Sequence, residues 1–111
     1  MTHRGAFWAF LALAAVGTIL PHSQFLPWFL DHGLDLRAFF SELFSTRIGG
    51  FFGWDVIVSA VVLVLFVIVQ GGRDRVPHLW LPILGTVAVG VSCGLPLFLA
   101  LRERALEKRS A

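Results

Sequence analysis

The sequence predicts an all-α integral membrane protein, built from three transmembrane helices and a short amphipathic helix in the first loop. Of its 111 residues, 57% are hydrophobic and only 14% are charged, whereas a soluble domain averages roughly 45–50% apolar and about 25% charged residues. The apolar residues form three long segments, and most charged residues lie between them or in the C-terminal tail. A soluble domain this small has too little interior to bury so much apolar surface, and a disordered chain is far less hydrophobic.

The first predicted span covers residues 6–30, and Pro21 interrupts its apolar sequence. Two interpretations compete. In one, the segment is a single helix kinked at the proline. In the other, it is a signal peptide with Arg4 in its basic region and Ala15-Val16-Gly17 as its cleavage box. The apolar sequence continues past Gly17 to Leu30, which favours a span that is retained in the mature protein.

A short amphipathic helix is predicted over residues 35–46. Asp35 is the expected N-cap, since its carboxylate can accept from free amides of the first turn. Apolar side chains recur at helical spacing on one face, and Arg37 and Glu42 lie largely opposite; the apolar positions are Leu36, Phe39, Phe40, Leu43 and Phe44. Such a helix either packs on protein or lies in the membrane interface with its Phe side in lipid. The flanking spans favour the interface.

The second predicted span, residues 48–70, is the most hydrophobic part of the chain. Fourteen Val, Ile, Leu or Phe residues lie between Phe51 and Val69, and they favour insertion by about 4–8 kcal/mol. Asp55 opposes insertion by at most about 3 kcal/mol, so the segment inserts despite its acid. Gly71 and Gly72 are a C-cap signal and predict the end of this helix.

The third predicted span covers residues 79–101 and is followed by a basic tail, residues 102–111. Thr86, Gly90 and Gly94 recur every four residues and would share one helix face. This small-residue pattern lets two helices approach closely, so it predicts a packing face for a helix inside or outside the chain. Pro96 lies in the interior of the segment and is expected to kink it.

Three spans would place the two termini on opposite sides of the membrane. Trp8 and Trp80 would then anchor the chain at one interface, and Trp28 and Trp54 at the other. The side with the N-terminus would carry three Lys or Arg residues and the side with the C-terminus six. The positive-inside rule therefore predicts a cytoplasmic C-terminus.

One acidic residue inside a span is the strongest candidate for chemistry. Asp55 lies about 10 Å into the second span, and an intramembrane acid is by default a functional hypothesis. Four polar residues would fall at a matching depth and form one layer with it: His22, Gln24, Ser59 and Ser92. Two interpretations stay open: the groups bond to one another and fix helix register, or they carry a proton or a substrate.

Other kinds of site find little support in the sequence. The four His residues are scattered without ligand spacing and Cys93 is the single cysteine, so we expect no metal site and no cofactor. The basic tail shows no nucleic-acid motif. No nucleophile–base motif or phosphate-binding loop is present.

Several runs of residues resemble a family of small bacterial membrane proteins of unknown function. They are Pro21 to Phe29, His32-Gly-Leu-Asp-Leu36, Phe51-Phe-Gly-Trp-Asp55-Val-Ile-Val-Ser59-Ala60, Leu79-Trp-Leu-Pro82, Gly94-Leu-Pro-Leu-Phe-Leu99 and Leu101-Arg-Glu-Arg104. The resemblance covers nearly the whole chain and implies a stand-alone three-span protein with its first span retained. We expect its location to be the bacterial inner membrane. It also implies an acidic residue before the loop glycines, where this chain has Gln70.

The leading functional expectation is a non-catalytic membrane protein that acts by helix packing, as an accessory or structural component. Its expected partners are the lipid bilayer and other membrane proteins, or a second copy bound through the third span. The alternative is a proton-coupled transport element, or an intramembrane enzyme acting on a lipophilic substrate, that uses Asp55 and His22.

Overall fold

The computed structural model describes residues 2–110 and confirms the all-α prediction. The described part contains five helices and no strand: α1 (His3–His32), α2 (Leu36–Leu43), α3 (Arg47–Arg73), α4 (Trp80–Ala88) and α5 (Val91–Ser110). The molecule is elongated, with extents of 51 × 24 × 22 Å.

Helix α1 is continuous through Pro21. Thr2 caps its start, where the side-chain oxygen accepts a hydrogen bond from the Gly5 amide at 3.0 Å. It ends at Gly33, whose φ of +68° suits a residue without Cβ. Its 30 residues are long and apolar enough to cross a membrane.

Helices α2 and α3 lie in the two segments in which the sequence predicts helices, but α2 already ends at Leu43 and α3 continues through Gly71 and Gly72 to Arg73. Asp35 caps α2 by accepting from the Ala38 amide at 3.0 Å, and Thr46 caps α3 by accepting from the Gly49 amide at 2.9 Å. The predicted apolar face of α2 is divided: Phe39 packs edge-on against Trp28 of α1, whereas Phe40 is exposed. Helix α3 is the second helix that is long and apolar enough to cross a membrane.

The prediction of a third transmembrane helix over residues 79–101 is wrong. The segment is divided into α4 and α5, which fold back on each other as a helical hairpin, so two helices of the described chain are long and apolar enough to span, not three. The chain turns at Gly90, where φ is +140°, a conformation that a residue with Cβ rarely adopts. The amides of Val89 and Gly90 both donate to the carbonyl of Gly85 and close the last turn of α4.

The small residues of the third segment hold the two arms of this hairpin together. Thr86 of α4 packs directly on Gly94 of α5, where an added Cβ would lie 1.9 Å from Oγ1 of Thr86 and 3.0 Å from the carbonyl oxygen of Pro82. Oγ1 of Thr86 is itself bound, donating to that carbonyl at 2.8 Å. The prediction that Thr86, Gly90 and Gly94 share one helix face is therefore wrong, because the helix ends before Gly90: Thr86 and Gly94 face each other across the hairpin, and Gly90 forms its turn.

Helix α5 is the centre of the bundle and runs antiparallel to α1 and parallel to α3. Its start contacts the middle of α1, through a hydrogen bond from Ser92 to the carbonyl of Gly17, and its later turns contact the start of α1, through Glu103 and His3. The buried core lies where α3, the following loop and α5 meet, around Leu63, Val67, Val76, Phe98 and Ala105. The predicted separation of the termini is therefore wrong, because one broken segment returns the chain to the end at which it began.

Asp74 joins the end of α3 to α5. Gln70 Nε2 and Arg102 Nε donate to its Oδ2 atom at 3.0 and 2.5 Å, and Arg109 donates to its backbone carbonyl. The hydrogen bonds from Gln70 and Arg102 favour the charged carboxylate and hold the pKa of Asp74 below its ordinary value.

Adding one methyl group at Gly94 should open the hairpin. We expect Gly94→Ala to lower the stability by about 1–3 kcal/mol, the usual cost of overpacking, in thermal unfolding of the detergent-solubilised protein. Gly72→Ala is the matched control, because a Cβ there meets nothing within 4 Å. Thr86→Ala in the Gly94→Ala background should restore part of the loss. Equal stability of the two single glycine variants would contradict the close contact between Thr86 and Gly94.

Removing the charge of Asp74 should lower the thermal stability only at pH values at which the carboxylate is ionised. Since its pKa is lower in the folded protein, the carboxylate stabilises the fold above the ordinary Asp value of about 3.9, and this contribution is lost as the pH falls through the folded value. We expect Asp74→Asn to melt below wild type at pH 7, with the difference closing below about pH 4. Asp31→Asn, at an exposed site near the end of α1, is the control; a difference that persists unchanged at pH 3 would refute the assignment.

Candidate functional site

A cavity of about 350 Å³ lies beside the tip of the α4–α5 hairpin, where α1 and α3 approach it from two sides. Helix α1 contributes Pro21, and α3 contributes one turn that contains Asp55. The hairpin contributes the turn itself and the start of α5. The lining is mostly apolar with three polar side chains; its members are Pro21, Asp55, Val56, Ser59, Val89, Gly90, Val91 and Ser92.

The position of the cavity is fixed by a very close contact between α5 and α1. Ser92 Oγ donates to the carbonyl oxygen of Gly17 at 2.8 Å. A Cβ at Gly17 would lie 2.0 Å from the backbone oxygen of Ser92, so only glycine permits this approach. Gly17 lies halfway along α1, and Ser59 lies next to the midpoint of α3. The hairpin tip therefore ends level with the middle of both long helices.

Asp55 is the only charged residue that lines the cavity. Its side chain is exposed, and within residues 2–110 it forms no hydrogen bond or ion pair. No Lys, Arg or His residue lines the same cavity. The carboxylate therefore meets no compensating positive charge from the lining.

The interruption at Gly90 adds backbone groups to this site. The last carbonyls of a helix and the first amides of the next lack partners within their own helices, and they carry partial charges of opposite sign. The end of α4 and the start of α5 meet at Val89 and Gly90, which line the cavity. Together with Asp55 and two hydroxyl groups, the arrangement can hold a proton, a small cation or the polar part of a ligand.

The predicted polar layer is brought together only in part. Asp55, Ser59 and Ser92 line this one cavity, whereas His22 and Gln24 do not. His22 Nδ1 lies 3.0 Å from the carbonyl oxygen of Thr18 in its own helix. Gln24 lines an adjacent cavity of about 320 Å³ between α1 and α2.

Sequence reasoning missed two contributors to the site, Pro21 and the turn at Gly90. Pro21 borders both cavities. The available signal for the turn was a glycine in the middle of an apolar segment between two β-branched residues, Val89 and Val91. β-Branched residues are poorer helix formers than leucine, but the residues on both sides are as hydrophobic as those of an ordinary span.

The predicted Trp anchors divide between the two ends of the molecule. Trp8 and Trp80 are exposed near the starts of α1 and α4, at the end that holds the termini. Trp28 and Trp54 lie toward the other end, where Trp28 donates to Glu42 of α2 at 2.6 Å and Trp54 contacts Phe44. Across residues 2–110, no three His, Cys, Asp or Glu side chains are grouped closely enough to hold a metal ion.

Comparison with known proteins confirms the resemblance to a family of unknown function. Searches of curated proteins and of solved structures find no match to this chain. A family model does match residues 9–104, which include α2, α3, α4 and most of α1 and α5. The chain therefore belongs to the family described as protein of unknown function DUF2834.

Proposed function

We propose that the protein is a non-catalytic integral membrane protein of the bacterial inner membrane, an accessory component that acts by helix packing. In this proposal α1 and α3 cross the bilayer, and α4 and α5 form a hairpin that enters from one side and returns to it. The observation that carries the proposal is the level of the hairpin tip, which ends beside the midpoints of both long helices.

The length of α4 supports a hairpin that enters only partway. Its nine residues extend about 13 Å, less than half of the roughly 30 Å hydrocarbon core. An interrupted backbone at such a depth is tolerated only where protein surrounds it or where it lines a cavity. The turn at Val89 and Gly90 meets this condition, because it lies beside α1 and lines the cavity that contains Asp55.

The distribution of positive charge supports cytoplasmic termini. Seven of the nine Lys and Arg residues belong to the end where α1 starts and where α3 and α5 finish; the two at the opposite end are Arg37 and Arg47. The positive-inside rule assigns the richer end to the cytoplasm. The C-terminus then has the orientation that the sequence predicts, and the N-terminus joins it. Helix α2, with Leu36 and Phe40 exposed, would lie in the opposite interface.

The exposed surface of α3 supports a role in packing. Many large apolar side chains of this helix are exposed and do not pack into the core of the molecule. Examples are Val58, Val61, Val62, Leu65 and Ile68. Exposed apolar surface of this extent indicates contact with lipid or with another membrane protein.

Single-cysteine labelling tests the proposed topology. In a Cys93→Ala background, we expect cysteines at Thr2 and Ser110 to react with an impermeant maleimide from the cytoplasmic side only. A cysteine at Leu34, which is exposed beyond the end of α1, should react from the opposite side only. Labelling of the two termini from opposite sides would contradict this topology and support a chain that crosses the membrane three times. Loss of the protein from carbonate-washed membranes would refute the membrane proposal itself.

A proton-coupled transport element is the second candidate, and the cavity at the hairpin tip favours it. An ionised carboxylate at membrane depth is costly, so it pairs, takes up a proton or reaches water. Asp55 has no paired cation in the cavity lining. This candidate rests on Asp55, Ser59 and Ser92, which line the cavity, whereas His22 does not.

Proton flux into liposomes separates the two candidates. The transport candidate requires that wild-type protein carries protons down a pH gradient, followed with an enclosed pH dye, and that Asp55→Asn abolishes this flux. Asp31→Asn, which removes an acid at the end of α1, should leave the flux unchanged. Equal flux with wild type and Asp55→Asn excludes a proton role for Asp55 and leaves the packing role.

A further inference from the structure

We propose that the paired ends of α1 and α5 form a binding site for the headgroup of an anionic phospholipid. A cavity of about 380 Å³ lies between these two helix ends, lined by Arg4, Phe7, Trp8, Arg104, Glu107 and Lys108. The inference rests on the proposed membrane location, and it adds a specific ligand at the cytoplasmic surface, away from the cavity that contains Asp55.

The site follows from the spacing of residues on two antiparallel helices. Arg4, Phe7 and Trp8 lie at positions i, i+3 and i+4 of α1, and therefore on one face. Arg104 and Lys108 lie one turn apart on a single face of α5. The contact between His3 and Glu103 holds the two helix ends together, so that both faces line the same cavity.

The charges in the cavity match an anionic group. Three cations, Arg4, Arg104 and Lys108, line it together with one acid, Glu107, which leaves a formal charge of +2. The neighbouring acid Glu103 is occupied by His3 and Arg102. Guanidinium groups suit phosphate because they offer several donors in one plane. Basic pockets between helix ends on the cytoplasmic side are a known kind of site for anionic headgroups.

The aromatic residues indicate an amphiphile instead of a free anion. Trp8 is 59% exposed although it lies beside three cations, and Trp is enriched at the boundary between headgroups and acyl chains. The Arg104 guanidinium carbon lies 5.7 Å from the centre of the Phe7 ring, so a cation–π contact holds it at this boundary. Half-buried Leu11 and exposed Ala12 and Ala15 continue this face along α1, where an acyl chain can lie.

Native mass spectrometry of the full chain in mild detergent provides the test. We expect wild-type protein to retain added phosphatidylglycerol in preference to phosphatidylcholine. The triple variant Arg4→Gln/Arg104→Gln/Lys108→Gln should weaken phosphatidylglycerol binding by a factor of about ten or more, since each cation near the headgroup contributes separately to the binding free energy. Arg37→Gln/Arg47→Gln, which removes the two cations of the opposite end, is the matched control and should bind like wild type.

Three outcomes would overturn the site. The first is equal retention of the two lipids by wild type, which needs no variant and so does not depend on variant folding. The second is unchanged phosphatidylglycerol binding by the triple variant. The third is full displacement of the lipid by millimolar inorganic phosphate, which would assign the pocket to a soluble anion. Failure of the membrane proposal is recognised separately, by release of the protein in carbonate washing.

Discussion

The contact between Ser92 and Gly17 determines where every other part of the bundle lies. A backbone carbonyl in the middle of α1 accepts from the first turn of α5, and the absence of a Cβ at Gly17 lets the two backbones meet. Because α5 then runs back along α1, its polar last turns reach the start of α1 and the loop after α3. One small residue thus sets the depth of the hairpin, the shape of the cavity at its tip and the grouping of charges at one end.

Two features of the fold could be predicted from the sequence, because each depends on local physics. The continuous apolar sequence around Val67 predicts a long buried or lipid-facing helix, and Asp35 predicts a helix start through its side-chain oxygen. The turn at Gly90 could not be predicted in the same way. Hydrophobicity measures the preference of a segment for an apolar environment. This preference is the same whether the segment forms one continuous helix or two helices that fold back on each other.

The candidate site, too, could be predicted from the sequence only in part. Asp55 could be singled out because a charge in an apolar segment is costly wherever the segment lies. Its neighbours depend on the return of α5 past the middle of α1, and that path depends on close packing at Gly17 and Gly94. A depth count along three continuous spans therefore groups Ser59 and Ser92 with Asp55 but also includes His22 and Gln24, which do not line the cavity.

The pairing of the first helix with the last has a consequence for biosynthesis. The hydrogen-bonded residues of α1 and α5 are separated by 75 positions at Ser92 and Gly17, and by 100 at His3 and Glu103. The contact between Thr86 and Gly94 in the α4–α5 hairpin, in contrast, joins residues close together in sequence, so closing the loop between them costs little entropy. During synthesis, α1 is made before α5, and Gly17 stays without its partner until Ser92, 75 positions later, has been made. We therefore expect the docking of the hairpin onto α1 to be slower than the closing of the hairpin itself, because the contacts it forms are far apart in sequence.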